Sequence, residues 1–245
     1  MRWIYLSPHL DDVALSCGGL LWEQSQTGMS VEVWSICAGN PPDEQLSPFA
    51  QNLHERWQTG NQAVHQRRLE DQASCALLGA SAIQFSLPDC IYRRSPTSGA
   101  WLYTNEQELF GAVHPDEAQQ MRRLGQEMES LLPQDRTLVC PLTLGGHVDH
   151  RLTRAVTESF GNPRWYYADY PYVLRTKEIL RALEADGWKS VLFLISKEGL
   201  EAWIQSIAAH RSQISTFWPS LEAMRQAIWA YMDEMGGVQL WQAPH

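Results

Sequence analysis

The stretch Ser7-Pro8-His9-Leu10-Asp11-Asp12-Val13 decides the fold of this chain. Before it runs Trp3-Ile4-Tyr5-Leu6, an uninterrupted apolar tetrad that reads as a buried strand. After it, residues 14–22 read as a helix starting at the Asp pair. An imidazole and two carboxylates therefore occupy a strand-to-helix turn. In open α/β sheets such turns lie at the carboxyl edge of the strands, where ligands bind. The pattern recurs far downstream. Thr137-Leu138-Val139-Cys140-Pro141 reads as another buried strand, running into Gly145-Gly146-His147-Val148-Asp149-His150-Arg151 and a helical segment. Two such turns at one sheet edge bring three candidate ligands to one metal: His9 and Asp12 from the first, His150 from the second. Imidazole nitrogen with carboxylate oxygen suits zinc, and three protein ligands leave a position open, as in catalytic sites.

Outward from these turns, a helix ends near Gly28 and residues 31–37 read as a second strand. Strand, helix, strand implies a parallel crossover. The expected fold is α/β, a Rossmann-like three-layer sandwich with a mostly parallel central sheet, forming one domain over residues 1–245. Further strands are expected at 82–87, 164–168 and 190–195, with 238–241 as an edge strand. Helices are expected at 62–79, 117–132, 197–210 and 221–231. In the first of these, Val64, Leu69, Ala73, Ala76 and Leu77 fall near one face. The turn formers Gly39-Asn40-Pro41-Pro42-Asp43 make a loop. Ser47-Pro48 then opens a segment with His54, Trp57 and Gly60 that is a candidate rim for the site.

Composition sets outer limits. Hydrophobic residues are 44% and charged ones 19%, the mixture of a globular chain. Its 19 basic and 28 acidic side chains give a formal charge of -9, which argues against nucleic acid or an anionic membrane as partner. No apolar run approaches the ~20 residues of a spanning helix, and Met1-Arg2 leads straight into a strand with no signal peptide. The five cysteines are odd in number, scattered and without a Cys-x-x-Cys pair. They read as reduced, mostly buried thiols of a cytoplasmic protein.

His9-x-Asp11-Asp12 and His147-x-Asp149-His150 resemble the two signatures of the LmbE-like, or PIG-L, zinc N-deacetylases. Leu10 stands where the family usually has Pro, and Val13 where Glu often follows; neither is a presumed ligand. Arg67-x-x-Glu70 followed by Leu78-Gly79 resembles the family's substrate-arginine helix. Pro88-Asp89 is similar to its loop after the third strand, and Arg211-Ser212-Gln213 to its late Ser-Gln segment. The resemblance implies a deacetylase with one Zn2+ per chain, iron(II) being the other candidate metal. Its substrate would be a small N-acetylated amino sugar conjugate of the N-acetylglucosamine type. Whether the chain forms a homo-oligomer is left open.

Roles follow for the individual side chains. Adjacent Asp11 and Asp12 diverge in most backbone geometries, so with Asp12 on the metal, Asp11 faces substrate as a base. His147 is implied by the resemblance as the oxyanion donor. Asp149, between the two histidines, orients an imidazole. Arg67 is either a surface partner of Glu70 one turn away or, as the resemblance implies, a ligand for a substrate hydroxyl or phosphate. Asp89 either accepts sugar hydroxyls or caps a turn. Tyr167, Tyr170 and Tyr172, at a strand's carboxyl edge, suit a sugar face or ordinary packing equally. The 88–103 loop is a lid or a surface excursion. His54, His65, His114, His210 and His245 lack ligand context. Two other functions are weighed against deacetylation of an amino sugar. One is metal-assisted hydrolysis of another N-acyl amide. The other is a non-catalytic Rossmann-like binding module, against which Cys17-Gly18-Gly19 lacks the dinucleotide spacing.

Overall fold

The apolar run Trp3-Ile4-Tyr5-Leu6 lies at the centre of a sheet and is buried throughout. The structure, a computed structural model, describes residues 2–42, 45–161 and 163–244, with Asn61 described by its backbone alone. Asp43 of the turn-rich loop and His245 lie outside the described residues. In chain order the strands are β1 (Arg2–Ser7), β2 (Ser30–Ser35), β3 (Ser81–Gln84), β4 (Arg136–Pro141), β5 (Trp165–Tyr167), β6 (Lys189–Phe193) and β7 (Val238–Gln242). The helices are α1 (Asp12–Gln26), α2 (Pro48–Trp57), α3 (Ala63–Leu77), α4 (Glu106–Leu109), α5 (Ala118–Leu131) and α6 (Val148–Glu158). They continue as α7 (Lys177–Ala185), α8 (Lys197–Ala209), α9 (Arg211–Phe217) and α10 (Leu221–Met235).

The sheet runs β3-β2-β1-β4-β5-β7-β6. Strands β1 to β5 pair in parallel, with Tyr5 level with Val33 on one side and Val139 on the other. Chain order reverses between β1 and β4. That is the topological switch point, and the turns leaving these two strands flank its crevice. Helices α1, α3 and α8 pack on one another, and α5 packs on α6. A mostly parallel α/β sheet with helices on both faces is therefore observed, as the sequence predicts.

The contact between α1 and α8 explains the glycine pair after Cys17. A Cβ on Gly18 would lie 2.4 Å from the Trp203 ring. The missing side chain lets Trp203 donate its indole N–H to the carbonyl of Ala14 at 2.7 Å. Gly18 is thus a packing residue that lets the first site helix sit close against α8.

Two expectations are corrected. Residues 238–241 are not an edge strand: β7 lies antiparallel between β5 and β6, and β6 is the edge. Val238, Leu240 and Trp241 are buried, whereas Val191 and Leu192 of β6 are exposed. In α3, Leu69, Ala73, Ala76 and Leu77 are exposed; the buried face holds Val64, Arg67, Glu70, Asp71, Ser74 and Cys75. This helix turns its polar stripe inward because that stripe serves the site, so hydrophobic periodicity marks the wrong side.

Candidate active site

The first turn is shaped by its own polar groups. Ser7 Oγ donates to the His9 carbonyl at 2.6 Å and accepts the Val13 N–H at 3.1 Å. Asp12 Oδ2 accepts the His9 backbone N–H at 2.7 Å. Asp11 occupies the N-cap position of α1, yet its side chain makes no capping hydrogen bond. It is buried and faces Arg67, whose Nη2 is 3.5 Å from Asp11 Oδ1. The ordinary capping use of an Asp at a helix start is thus excluded for Asp11.

The second turn sets three side chains by a different device. His147 is the N-cap of α6, its Nδ1 accepting the Asp149 N–H at 3.2 Å. In the neutral ring the proton then sits on Nε2. Burial, with His9 and His150 nearby, pushes the His147 pKa down to about 3, so the ring is neutral at pH 7. Asp149 is fully buried. It accepts the Cys90 N–H at 3.0 Å and the Nε2 of His9 at 3.0 Å, and it pairs with the guanidinium of Arg93. Burial opposes its charge, but Arg93 and His9 hold the Asp149 pKa well below the usual carboxylate range.

His9 and His150 converge on one carboxylate. His9 Nδ1 is 3.1 Å from Asp12 Oδ2, and His150 Nε2 is 3.3 Å from Asp12 Oδ1. The remaining nitrogen of each ring is engaged behind: His9 Nε2 with Asp149, and His150 Nδ1 with Asp169 Oδ1 at 2.6 Å. Burial opposes charge on these rings, yet the carboxylates outweigh it, holding His9 well above its ordinary pKa and His150 at about 10, so that without a metal each ring carries a proton toward Asp12. A divalent cation between the rings and Asp12 would take the place of those protons, each rear nitrogen still donating to its own carboxylate. Donor atoms at tetrahedral corners around a metal with bonds of about 2.0–2.1 Å stand about 3.3 Å apart. The His9–Asp12 and His150–Asp12 separations match that spacing, and Asp149 and Asp169 engage the rear nitrogen of each imidazole. His147 is close as well: one nitrogen each of His9, His147 and His150 lies within 4.8 Å of the others.

These groups form the floor of a cavity of about 510 Å³. Arg67 lies over the Trp57 ring at 5.0 Å, with Nη1 3.8 Å from Asp89 Oδ2. Glu70 does not pair with it; its carboxylate takes the backbone N–H and hydroxyl of Ser212 at 3.1 and 2.6 Å, tying α3 to α9. Asp89 caps its turn, Oδ1 accepting the Ile91 N–H at 3.3 Å, and its Oδ2 faces His9 and Arg67 at 3.8 Å each on the cavity wall. The segment after Ser47 does form the rim, as α2 with Phe49, Leu53 and Trp57 on the cavity wall. His54 braces it, Nδ1 donating to the Gly60 carbonyl at 2.9 Å and Nε2 accepting from Tyr92 at 2.5 Å. Of the tyrosines, Tyr170 and Tyr172 line the cavity, and Tyr172 is edge-on to His150 at 6.0 Å. Tyr167 is core, donating to the Leu6 carbonyl at 2.9 Å.

Two residues of the site escape sequence reasoning. Asp169 precedes the aromatic cluster, and its position just past a strand end is the signal that finds it. Arg93 sits in what looks like a surface loop, yet it is buried between Asp149 and Glu117, with Nε 2.5 Å from Glu117 Oε1. The 88–103 loop is thus anchored beneath the site through Arg93.

A family model described as PIG-L, GlcNAc-PI de-N-acetylase, matches residues 4–160. The chain belongs to the PIG-L family. The match takes in both His/Asp turns and ends before Asp169. Over 208 residues the chain is 31% identical to 2'-N-acetylparomamine deacetylase of Niallia circulans, spanning 77% of this chain and 72% of that protein. A crystal structure of a deacetylase from the teicoplanin biosynthesis pathway superposes with a TM-score of 0.78 at 26% identity, covering 98% of this chain and 97% of that one. A zinc-inhibited form of teicoplanin deacetylase shares the fold, with a TM-score of 0.77 at 24% identity over 99% of this chain and 97% of that one. Like other PIG-L chains, this one is a deacetylase by family. Among the described residues no helix is long and apolar enough to cross a membrane.

Proposed function

We propose that this PIG-L deacetylase hydrolyses the acetamide of an N-acetylated amino sugar conjugate, using one divalent metal held by His9, Asp12 and His150. The observation that carries the reading is the pairing of two imidazoles on Asp12 beside a buried, non-capping Asp11 in a cavity roomy enough for a sugar and more. Zinc or iron(II) held there would polarise the acetamide carbonyl and make a water easier to deprotonate. Asp11 takes that water's proton as the water oxygen bonds to the acetamide carbon. Burial raises the Asp11 pKa while Arg67 restrains it, which suits a group that must accept a proton and return it. The Nε2–H of His147 donates to the carbonyl oxygen as it gains charge. The C–N bond then breaks, and Asp11 hands its proton to the departing amine, leaving acetate and a free amino sugar. Asp149 and Asp169 keep His9 and His150 in register, and Arg67 and Asp89 receive sugar hydroxyls. The five buried thiols, none in a disulfide, support a reducing compartment such as the cytoplasm.

The test is amine release from N-acetylglucosamine conjugates by protein stripped with chelator and reloaded with zinc or iron(II). Release that chelator abolishes and metal restores supports the reading. Stoichiometric metal without release from any conjugate would move the substrate outside amino sugars. A longer N-acyl group is a second reading, favoured by Leu53, Leu109 and Phe110 on the cavity wall. N-octanoyl conjugates in the same assay separate it from acetyl.

A further inference from the structure

We propose that the aglycone of the substrate carries an anionic group, a carboxylate or a phosphate, received by Arg56 and Arg175 at the cavity mouth. This rests on the deacetylase reading and deepens it. Arg56 lies on α2, and Arg175 ends the single turn Tyr172–Arg175 after β5; both line the cavity that holds the catalytic floor. Both are exposed, and neither makes a hydrogen bond or ion pair among the described residues. Elsewhere the excess of acid gives many basic groups partners: Arg2 has Glu32, Arg154 has Glu158 and Arg225 has Glu201.

The charge balance of the cavity separates floor from mouth. On the floor, the carboxylates of Asp11, Asp12 and Asp89 would be balanced by Arg67 together with a bound divalent ion. At the mouth, Glu106 also lines the wall but pairs with neither arginine, leaving one positive charge in excess. Phe49, Leu53, Phe110 and Phe217 give the same cavity apolar walls. Such walls thin the water around a bound group and strengthen its attraction to the arginines. Arg67 adds to the same tendency, since its Nε is buried without a hydrogen-bond partner. At about 510 Å³ the cavity exceeds what one acetylated hexose fills, so an aglycone extends from floor to mouth. A polyamine aglycone would meet like charge there. A carboxylate or phosphate offers guanidinium its preferred partner.

The experiment compares kcat/KM of the metal-loaded protein on four β-glycosides of N-acetylglucosamine. Their aglycones are equal in length and end in a carboxylate, a phosphate, a neutral amide or an ammonium group. The expected result is that the anions exceed the amide by about three- to tenfold and the ammonium falls below it. The preference should shrink when salt rises from about 0.02 to 0.5 M. Arg56→Gln and Arg175→Gln should each lower the ratio of anionic to neutral turnover, and the double variant should bring it near one. Whichever anion leads identifies the group. Equal turnover of amide and anions, or a lead for ammonium, overturns the anion site and leaves the deacetylase reading intact. Failure to release amine from any of the four, neutral amide included, overturns both.

Discussion

The Nδ1 of His150 meets Asp169 Oδ1 at 2.6 Å, joining the second His/Asp turn to the end of the neighbouring strand. The other oxygen of Asp169 accepts the Leu144 N–H at 3.1 Å, so one carboxylate holds both the ring and the loop that carries it. Asparagine fills the same space but cannot accept from both donors, because one end of the amide is itself a donor. Asp169→Asn is expected to weaken metal affinity by about 10- to 100-fold. Competition with a chromophoric chelator measures it, and unchanged affinity would detach Asp169 from the metal.

Arg93 is fully enclosed and balanced by Asp149 and Glu117, and Tyr103 donates to Glu117 at 2.8 Å. Removing the guanidinium leaves two buried carboxylates without their counter-charge. Arg93→Met is therefore expected to cost about 3–5 kcal/mol of stability and to lower Tm by about 10 °C. A calorimetric scan within a degree or two of the parent would show that the network contributes little.

Much of this arrangement is legible from residue order. Trp3 to Leu6 and Leu138 to Pro141 are apolar without interruption, as central parallel strands are, and each delivers its His/Asp cluster to the same edge. What escapes reading is whatever depends on contacts between distant segments. Arg93 looks like loop decoration until Asp149, 56 positions away, turns out to be its partner. The inward face of α3 is polar because Arg67, Glu70 and Asp71 each have a buried partner from another element, and periodicity cannot see partners. Strand β7 joins late in the chain yet inserts inside the sheet, because Leu240 and Trp241 need cover that an edge does not give.

Asp71 makes a pH test of that polar face. Burial raises its carboxyl to about 6, against hydrogen bonds from Gln84 and Ser35 that lower it. The folded state thus binds the proton more tightly than the unfolded chain, whose Asp titrates near 3.9. Its stabilising contribution is complete below the unfolded value and is lost as pH rises toward 6. Asp71→Asn keeps an acceptor for Gln84 and removes the buried charge. It is expected to raise stability at pH 7.5 by on the order of 1–3 kcal/mol, the gain vanishing near pH 4. Buried His210, pushed down to about 4, acts oppositely in this range but equally in both proteins. The difference between the two denaturation curves therefore isolates Asp71, and a gain independent of pH would refute the assignment.

All five cysteines are buried and unpaired. Burial pushes the thiols of Cys17, Cys37, Cys75 and Cys90 well up, so thiolate is scarce at pH 7. The folded protein is expected to react negligibly with a disulfide reagent, and to titrate five thiols once denatured. Reductant should leave Tm unchanged. Rapid labelling of the folded chain would mean that an opening motion exposes a core strand or helix.

Arg67 has two jobs that substitution can separate. Its Nη2 stands 3.5 Å from Asp11, and its guanidinium lies over Trp57 at 5.0 Å. Alanine removes both the positive charge beside Asp11 and the donors that face the cavity. Losing the charge raises the Asp11 pKa further, so the acidic limb of the kcat/KM profile should move to higher pH. Losing the donors should raise KM by about tenfold or more. Lysine restores the charge but neither the flat stacking surface nor the forked donors. Arg67→Lys is therefore expected to return the acidic limb toward its original pH while KM stays high. If alanine leaves both KM and the pH profile in place, Arg67 does no more than brace α3 against the first turn.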